Sequence, residues 1–394
     1  MILIHPPVSR PCEPPAGIAR LSAALHSSEI SCRLLDANIE ALLWLLRHPG
    51  NGDDTWTRRA TAKLPAHLKE MRAWQGYGNF SRYRRAVSDL NRVLEKSAWG
   101  RATVGPANYQ DPSLSPLRSA DLIRSAESPE ESPFYPYFRE RLPAVPGIDG
   151  IVGFSLNFLT QALPGFAMIG FLKKRFPRVK IIAGGGLVTS WVRRPGWKNP
   201  FLPWIDVLVA GPGEDALISL LGREPGAAPS PPRYEGFPLA EYFAPGFILP
   251  YSASTGCYWN RCRFCPERAE GNPYRPVPPL QVAREIETLV ARQRPVLLHF
   301  LDNAVSPALL EELARRPPGV PWYGFVRITD SLADLDFCLA LKKSGCVLLQ
   351  IGLESGNEKV LDALQKGIRL ETAGRVLRNL KHAGIAAYVY LLFG

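Results

Sequence analysis

From residue 246 onward the chain alternates short apolar runs with amphipathic helical patterns, and this alternation limits its fold more than any other feature. FILPYSAS, VLLHFLDN, PWYGFVRI, VLLQIGLES and AAYVYLLFG read as strands. Between them PLQVAREIETLVARQ, PALLEELARR, DLDFCLALKKSG and ETAGRVLRNLKHAG carry apolar residues at helical spacing. Strands alternating with helices in this way predict a parallel (β/α) barrel, or part of one. Chemistry in such barrels gathers at the C-terminal ends of the strands. Polar residues stand at four of those ends here, and a glycine at the fifth. Cys257, Cys262 and Cys265 follow the first strand, and Asp302 and Asn303 end the second. Arg327 ends the third, Glu354 and Ser355 the fourth, and Gly394 the fifth.

The first of these loops, Ser254 to Glu267, reads STGCYWNRCRFCPE. Its cysteines are spaced C-x4-C-x2-C. Soft thiolates this close together suit a metal or an iron–sulfur cluster, because they can converge on one centre. In a reducing compartment such spacing points to metal or catalysis and not to a disulfide. A structural zinc site wants four ligands, and no second Cys/His pair follows. A plant-type ferredoxin shares this spacing and adds a distant fourth cysteine, for which Cys338 or Cys346 could formally serve. The remaining option is a four-iron cluster with one iron left open for another ligand.

The cysteine loop resembles that of radical S-adenosylmethionine enzymes, which usually read C-x3-C-x2-C with an aromatic residue before the last cysteine. Phe264 matches that aromatic, while one extra residue separates Cys257 from Cys262. LDN resembles the family's segment after the second strand, which meets the methionine amino group. GLESG, with Lys366 and Gly367 beyond it, resembles the fourth-strand segment and its following helix, so Glu354 would approach the ribose or amino acid end. YVYLLFG resembles the fifth strand, which lines the adenine pocket. The resemblance implies that Cys257, Cys262 and Cys265 hold a [4Fe–4S] cluster whose open iron is chelated by S-adenosylmethionine. Reductive cleavage would yield a 5′-deoxyadenosyl radical that takes hydrogen from a small-molecule substrate. It implies an electron donor such as flavodoxin or ferredoxin. Phe264, Asp302, Asn303, Arg327, Glu354, Ser355 and Gly394 would contact the cofactor. Barrels of this family usually have six βα units, so a longer natural chain, or a partner completing the barrel, is expected beyond Gly394.

The first part of the chain reads as a second α/β domain, residues 1–222. MILIHPP and CRLLDANI are strands around the helix AGIARLSAALHSS. A long insertion spans about residues 41–147. Within it SRYRRAVSDLNRVLEKSAW is helical, with Ala86, Val87, Leu90, Val93 and Leu94 on one face, and SPEESPFYPYF reads as loop. Arg82, Arg84 and Arg85 read as its solvated face, with contact to an anionic partner as the alternative. The alternation then resumes in GIVGFSLN, ALPGFAMIGFLKKRF, VKIIAGGGLVTS and IDVLVAGPGEDALISLL. The glycine turns GGG and GPG let backbone approach a ligand, or serve only tight strand-to-helix turns. Neither forms a dinucleotide fingerprint. The domain resembles the cobalamin-binding domain that often precedes a radical S-adenosylmethionine barrel, which makes cobalamin a candidate cofactor. Its D-x-H-x-x-G histidine motif is absent here. Residues 223–245, rich in proline, glycine and alanine, read as an interdomain linker before the barrel at 246–394.

Composition adds bounds. The 394 residues are enough for two or three domains, and 46% hydrophobic with 21% charged is ordinary for a globular protein. No apolar run is long enough to span a bilayer, and MILIHPP lacks the basic region of a signal peptide, so a cytoplasmic location without a membrane partner is expected. The net charge of +11 is spread along the chain, which favours plain solubility over a nucleic-acid partner. Two other functions stay open at this point: a [2Fe–2S] electron-transfer protein with four cysteine ligands, and a nucleic-acid-binding protein stabilised by a metal.

Overall fold

The computed structural model describes residues 1–50, 52, 54–226 and 231–393. The chain divides into two compact units, Met1–Gly246 and Phe247–Gly394.

The first unit is built on five strands, β1 (Ile2–His5), β2 (Arg33–Asp36), β3 (Ile151–Ser155), β4 (Lys180–Gly184) and β5 (Val207–Leu208). All pair in parallel, in the order β2-β1-β3-β4-β5. This is a doubly wound order whose direction reverses between β1 and β3, where such folds place ligands. Ile2, Leu3, Ile4, Val152 and Phe154 are buried, as a parallel strand covered on both faces requires.

The strand expected over CRLLDANI stops at Asp36. Its carboxylate accepts hydrogen bonds from the Asn38 and Ile39 amides at 3.1 and 3.2 Å. It thereby starts the helix Ala37–Arg47, which claims Asn38 and runs on into residues assigned to the insertion. Within the insertion, helices Thr55–Met71 and Phe80–Ser97 pack together over Leu64, Ala86, Leu90 and Val93. Arg82 pairs with Glu70 at 2.8 Å. The stretch SPEESPFYPYF, expected as loop, instead forms a 3-10 turn at Pro129–Glu131 and a helix at Tyr135–Arg141. Phe134, Tyr137 and Phe138 are fully buried there, and packing overrides the local proline and serine content.

The described part of the segment read as a linker packs with this unit. Tyr234, Tyr242 and Phe243 are buried, and the Tyr242 hydroxyl donates to Asp36 at 2.6 Å. Burial pushes the Asp36 carboxyl up to about 6, against the hydrogen bond from Tyr242.

The second unit carries β6 (Ile248–Tyr251), β7 (Leu297–Phe300), β8 (Trp322–Val326), β9 (Cys346–Glu354) and β10 (Ala386–Leu391). They form one parallel sheet in sequence order, with β6 and β10 at its edges. Helices Pro279–Gln293, Pro307–Arg315, Leu335–Lys343 and Leu370–Ala383 connect them, as the alternation predicts. Their amphipathic faces bury Ile286, Leu310, Leu341, Val376 and Leu380, each worth about 1.5–3 kcal/mol of transfer free energy. Trp322 is fully buried on β8, its indole N–H donating to Ser344 Oγ at 3.1 Å. All five strands point their C-terminal ends to the same side, so the loops leaving those ends are brought together.

Candidate active site at the cysteine loop

The loop after β6 is fastened at its base. Ser254–Thr255 pairs antiparallel with Arg275–Pro276, and the Val277 amide donates to the Ala253 carbonyl at 2.8 Å. Asp302, buried after β7, accepts from the Ala253 amide at 3.0 Å and from the Ser254 hydroxyl. Asn303 Nδ2 donates to the Gly256 carbonyl at 3.2 Å, one residue before Cys257. These two residues just beyond β7 thus set where the first cysteine begins.

The far side of the loop docks on residues 364–367. The Arg263 amide donates to the Leu364 carbonyl and Trp259 Nε1 to the Gln365 carbonyl, both at 3.0 Å. Arg268 Nη1 donates to Gln365 Oε1 at 2.9 Å. Gly367 has φ +63°, and a Cβ there would stand 2.2 Å from the Trp259 ring, so this seat admits only glycine. The extra residue between Cys257 and Cys262 falls in this indole-anchored stretch, where Asn260 takes a left-handed φ of +43°.

Two buried cations sit under the loop. Lys366 Nζ meets Glu354 Oε1 at 2.8 Å, with both residues buried, and lies 5.6 Å from the Phe264 ring centroid. Arg327, also buried, donates through Nη2 to the Lys366 carbonyl and through Nη1 to Cys262 Sγ at 3.8 Å. Its guanidinium lies over the Trp259 ring, 4.1 Å from the centroid. Glu354 itself holds φ +70°, an unusual conformation for a side-chain-bearing residue at the end of a strand. Ser355, half-buried, accepts from the Asn357 amide at 3.2 Å, and Asn357 caps the helix Glu358–Ala363.

Cys257 and Cys265 are half-buried, Cys262 is buried, and all three thiols are free. Burial raises the Cys265 thiol above its usual range; the Glu267 and Arg268 amides oppose the shift, and the charges of Cys257 and Cys262 add to it. Among the described residues, no three His, Cys, Asp or Glu side chains stand in a finished metal-binding geometry. Metal binding deprotonates such thiols and is coupled to local folding of the site. The donor set itself, three unpaired thiols on one loop with a cation against one of them, fits a three-thiolate iron–sulfur centre.

Cys338 and Cys346 belong elsewhere. Both are fully buried, with their sulfurs toward the Leu332 and Leu348 carbonyls. Cys346 opens β9 while the cysteine loop lies at the ends of the strands, a separation of about 26 Å along a nine-residue strand. Cys346 is thus separated from the loop by the length of its strand, while the Cys338 thiol is turned to the Leu332 carbonyl.

The structure brings Cys257, Cys262, Cys265, Asp302, Asn303, Arg327, Glu354, Ser355 and Phe264 to the C-terminal side of one sheet. Phe264 is 43% exposed beside Lys366. Gly394 lies outside the described residues. The roles of Trp259 and Gln365 in seating the loop, and of Lys366 as partner of Glu354, do not emerge from the sequence. The adjacent Lys366 and Gly367 were the available signal, because glycine beside a family-matching lysine marks a close backbone approach.

Comparison with known proteins agrees with this geometry. Residues 251–394 match the model of the radical SAM superfamily. The anaerobic magnesium-protoporphyrin IX monomethyl ester cyclase of Rubrivivax gelatinosus is 25% identical over 242 residues, covering 49% of this chain and 42% of the cyclase. The structure of the cobalamin-dependent S-adenosylmethionine radical enzyme OxsB with aqua-cobalamin bound matches with a TM-score of 0.59 and 14% identity, over 99% of this chain and 49% of that one. OxsB with both aqua-cobalamin and S-adenosylmethionine bound matches equally, at a TM-score of 0.59. The chain thus spans less than half the length of these relatives, and the OxsB likeness is one of fold. Residues 251–394 are thus similar to the radical SAM superfamily, and a parallel α/β unit precedes them in sequence.

Proposed function

We propose that this chain is a radical S-adenosylmethionine enzyme acting on a small-molecule substrate. The observation that carries the reading is the fastening of Cys257, Cys262 and Cys265 at the C-terminal side of a parallel sheet, with Asp302, Asn303, Arg327 and Glu354 gathered round them. A [4Fe–4S] cluster on the three thiolates would supply the electron that cleaves the sulfonium bond of S-adenosylmethionine, so that the resulting carbon radical takes hydrogen from substrate. The chain's own residues hold and orient. Asp302 and Asn303 fix the entry to Cys257, while the 364–367 segment fixes the loop between the cysteines. Phe264, Glu354 and Ser355 would contact S-adenosylmethionine, with Glu354 held in place by Lys366 Nζ at 2.8 Å. The electron comes from a carrier such as flavodoxin or ferredoxin, in the cytoplasm. Among the described residues no helix is long and apolar enough to cross a membrane. Anaerobic reconstitution with iron and sulfide, followed by an assay for 5′-deoxyadenosine, tests the reading.

A second proposal concerns the first unit. Its strand order and its fold likeness to a cobalamin-bound enzyme favour cobalamin at the switch between β1 and β3. No histidine is offered to cobalt there. His5 ends β1, but it is buried and its Nε2 is bonded to Ser9 Oγ at 2.8 Å. Gly185, at φ +107°, leaves no room for a Cβ against the Leu156 carbonyl, 2.4 Å away, so both backbone conformation and packing require glycine there. The cofactor would therefore lie against the strand ends without a protein histidine on the metal, and methyl transfer would be the chemistry it adds.

A further inference from the structure

Arg327 is a buried cation without a counter-ion. It is 5% exposed, and its partners are the Lys366 carbonyl, the Trp259 ring and Cys262 Sγ. Among the described residues no carboxylate stands within ion-pairing distance of it. The neighbouring Lys366 differs, because Glu354 cancels its charge at 2.8 Å. Buried charges are normally paired, and leaving one alone is costly. The site therefore lacks an anion, and the guanidinium points at a cysteine sulfur.

We infer that Arg327 is the electrostatic partner of the cluster ligated by Cys262 and raises its reduction potential, and that Trp259 is the positioning residue that holds Arg327 in place. This rests on the cluster reading above. A reduced cluster carries one more negative charge than an oxidised one. A fixed positive charge therefore favours the reduced form, more strongly in a buried site than in water. Hydrogen bonds to the cluster sulfurs are an established lever on such potentials. Trp259 is clamped from three sides: its Nε1 bonds the Gln365 carbonyl, Gly367 lies against its ring, and Arg261 lies 5.0 Å from its centroid. Arg327 lies over the same ring, 4.1 Å from its centroid. The extra residue of the C-x4-C spacing lies in the stretch that carries this indole.

The test is a midpoint potential. The full chain, Arg327→Gln, Arg327→Lys and Trp259→Leu are reconstituted anaerobically, matched for iron, and titrated with dithionite while the paramagnetic reduced cluster is followed. Arg327→Gln is expected to lower the reduced-to-oxidised ratio at fixed poise about tenfold, which is about 59 mV for one electron. Arg327→Lys should recover most of that shift, and Trp259→Leu should move the potential the same way by less. If Arg327→Gln holds no iron, Trp259→Leu decides. Potentials equal to that of the unaltered chain in the loaded variants would overturn the inference. Lost S-adenosylmethionine binding with an unchanged potential would also overturn it and assign Arg327 to that ligand's carboxylate. Failure of the unaltered chain to take up iron would instead remove the cluster reading itself, and this inference with it.

Discussion

Glu354 and Lys366 form the most consequential residue pair outside the cysteines, since both are buried and each neutralises the other. Removing one partner of a buried pair leaves an uncompensated charge and costs about 3–5 kcal/mol. Glu354→Ala is therefore expected to lower the denaturant midpoint of the second unit, and Glu354→Ala with Lys366→Met to recover most of the loss. A midpoint unchanged in the single variant would mean that the pair contributes nothing. The cysteines were legible in the sequence because thiol spacing alone constrains chemistry. The pairing of Glu354 was not legible, because a carboxylate at a strand end reads as a free ligand contact. Its partner stands twelve residues on, beyond a helix.

At the scale of elements, the cysteine loop is a strap held at both ends, by Asp302 and Asn303 on one side and by residues 364–367 on the other. Gly367→Ala tests the second anchor. A left-handed φ costs a residue with a Cβ about 1 kcal/mol, and the new methyl would also meet the Trp259 ring. The variant should keep its sheet, yet be cut faster by protease within 257–268 and lose iron faster to a chelator. Unchanged cleavage and iron retention would show that the seat at Gly367 is not what holds the loop. The strands and helices of the second unit were readable because each buries one apolar face at its own period. The helix Tyr135–Arg141 was not, because Phe134, Tyr137 and Phe138 gain their burial from distant parts of the chain that local composition does not reveal.

On the scale of the whole molecule, two five-stranded parallel sheets share one chain. Both sheets could be anticipated, since alternation of apolar strands and amphipathic helices needs no tertiary information. If the first unit binds cobalamin as proposed, hydroxocobalamin titrated into the full chain should bind with a spectrum unaltered by replacing His5, His26, His48 or His67. A spectrum altered by one of these replacements would contradict the histidine-free site, and no uptake by the folded chain would make the unit a scaffold. The central claim is that Cys257, Cys262 and Cys265 alone hold the cluster that cleaves S-adenosylmethionine. The most direct measurement is iron content and 5′-deoxyadenosine formation after anaerobic reconstitution of single Cys→Ser variants. Cys257→Ser, Cys262→Ser and Cys265→Ser should each lose the product, while Cys338→Ser and Cys346→Ser keep both iron and product. Product formation surviving Cys262→Ser, or iron lost in Cys338→Ser or Cys346→Ser with the fold intact, would contradict the account.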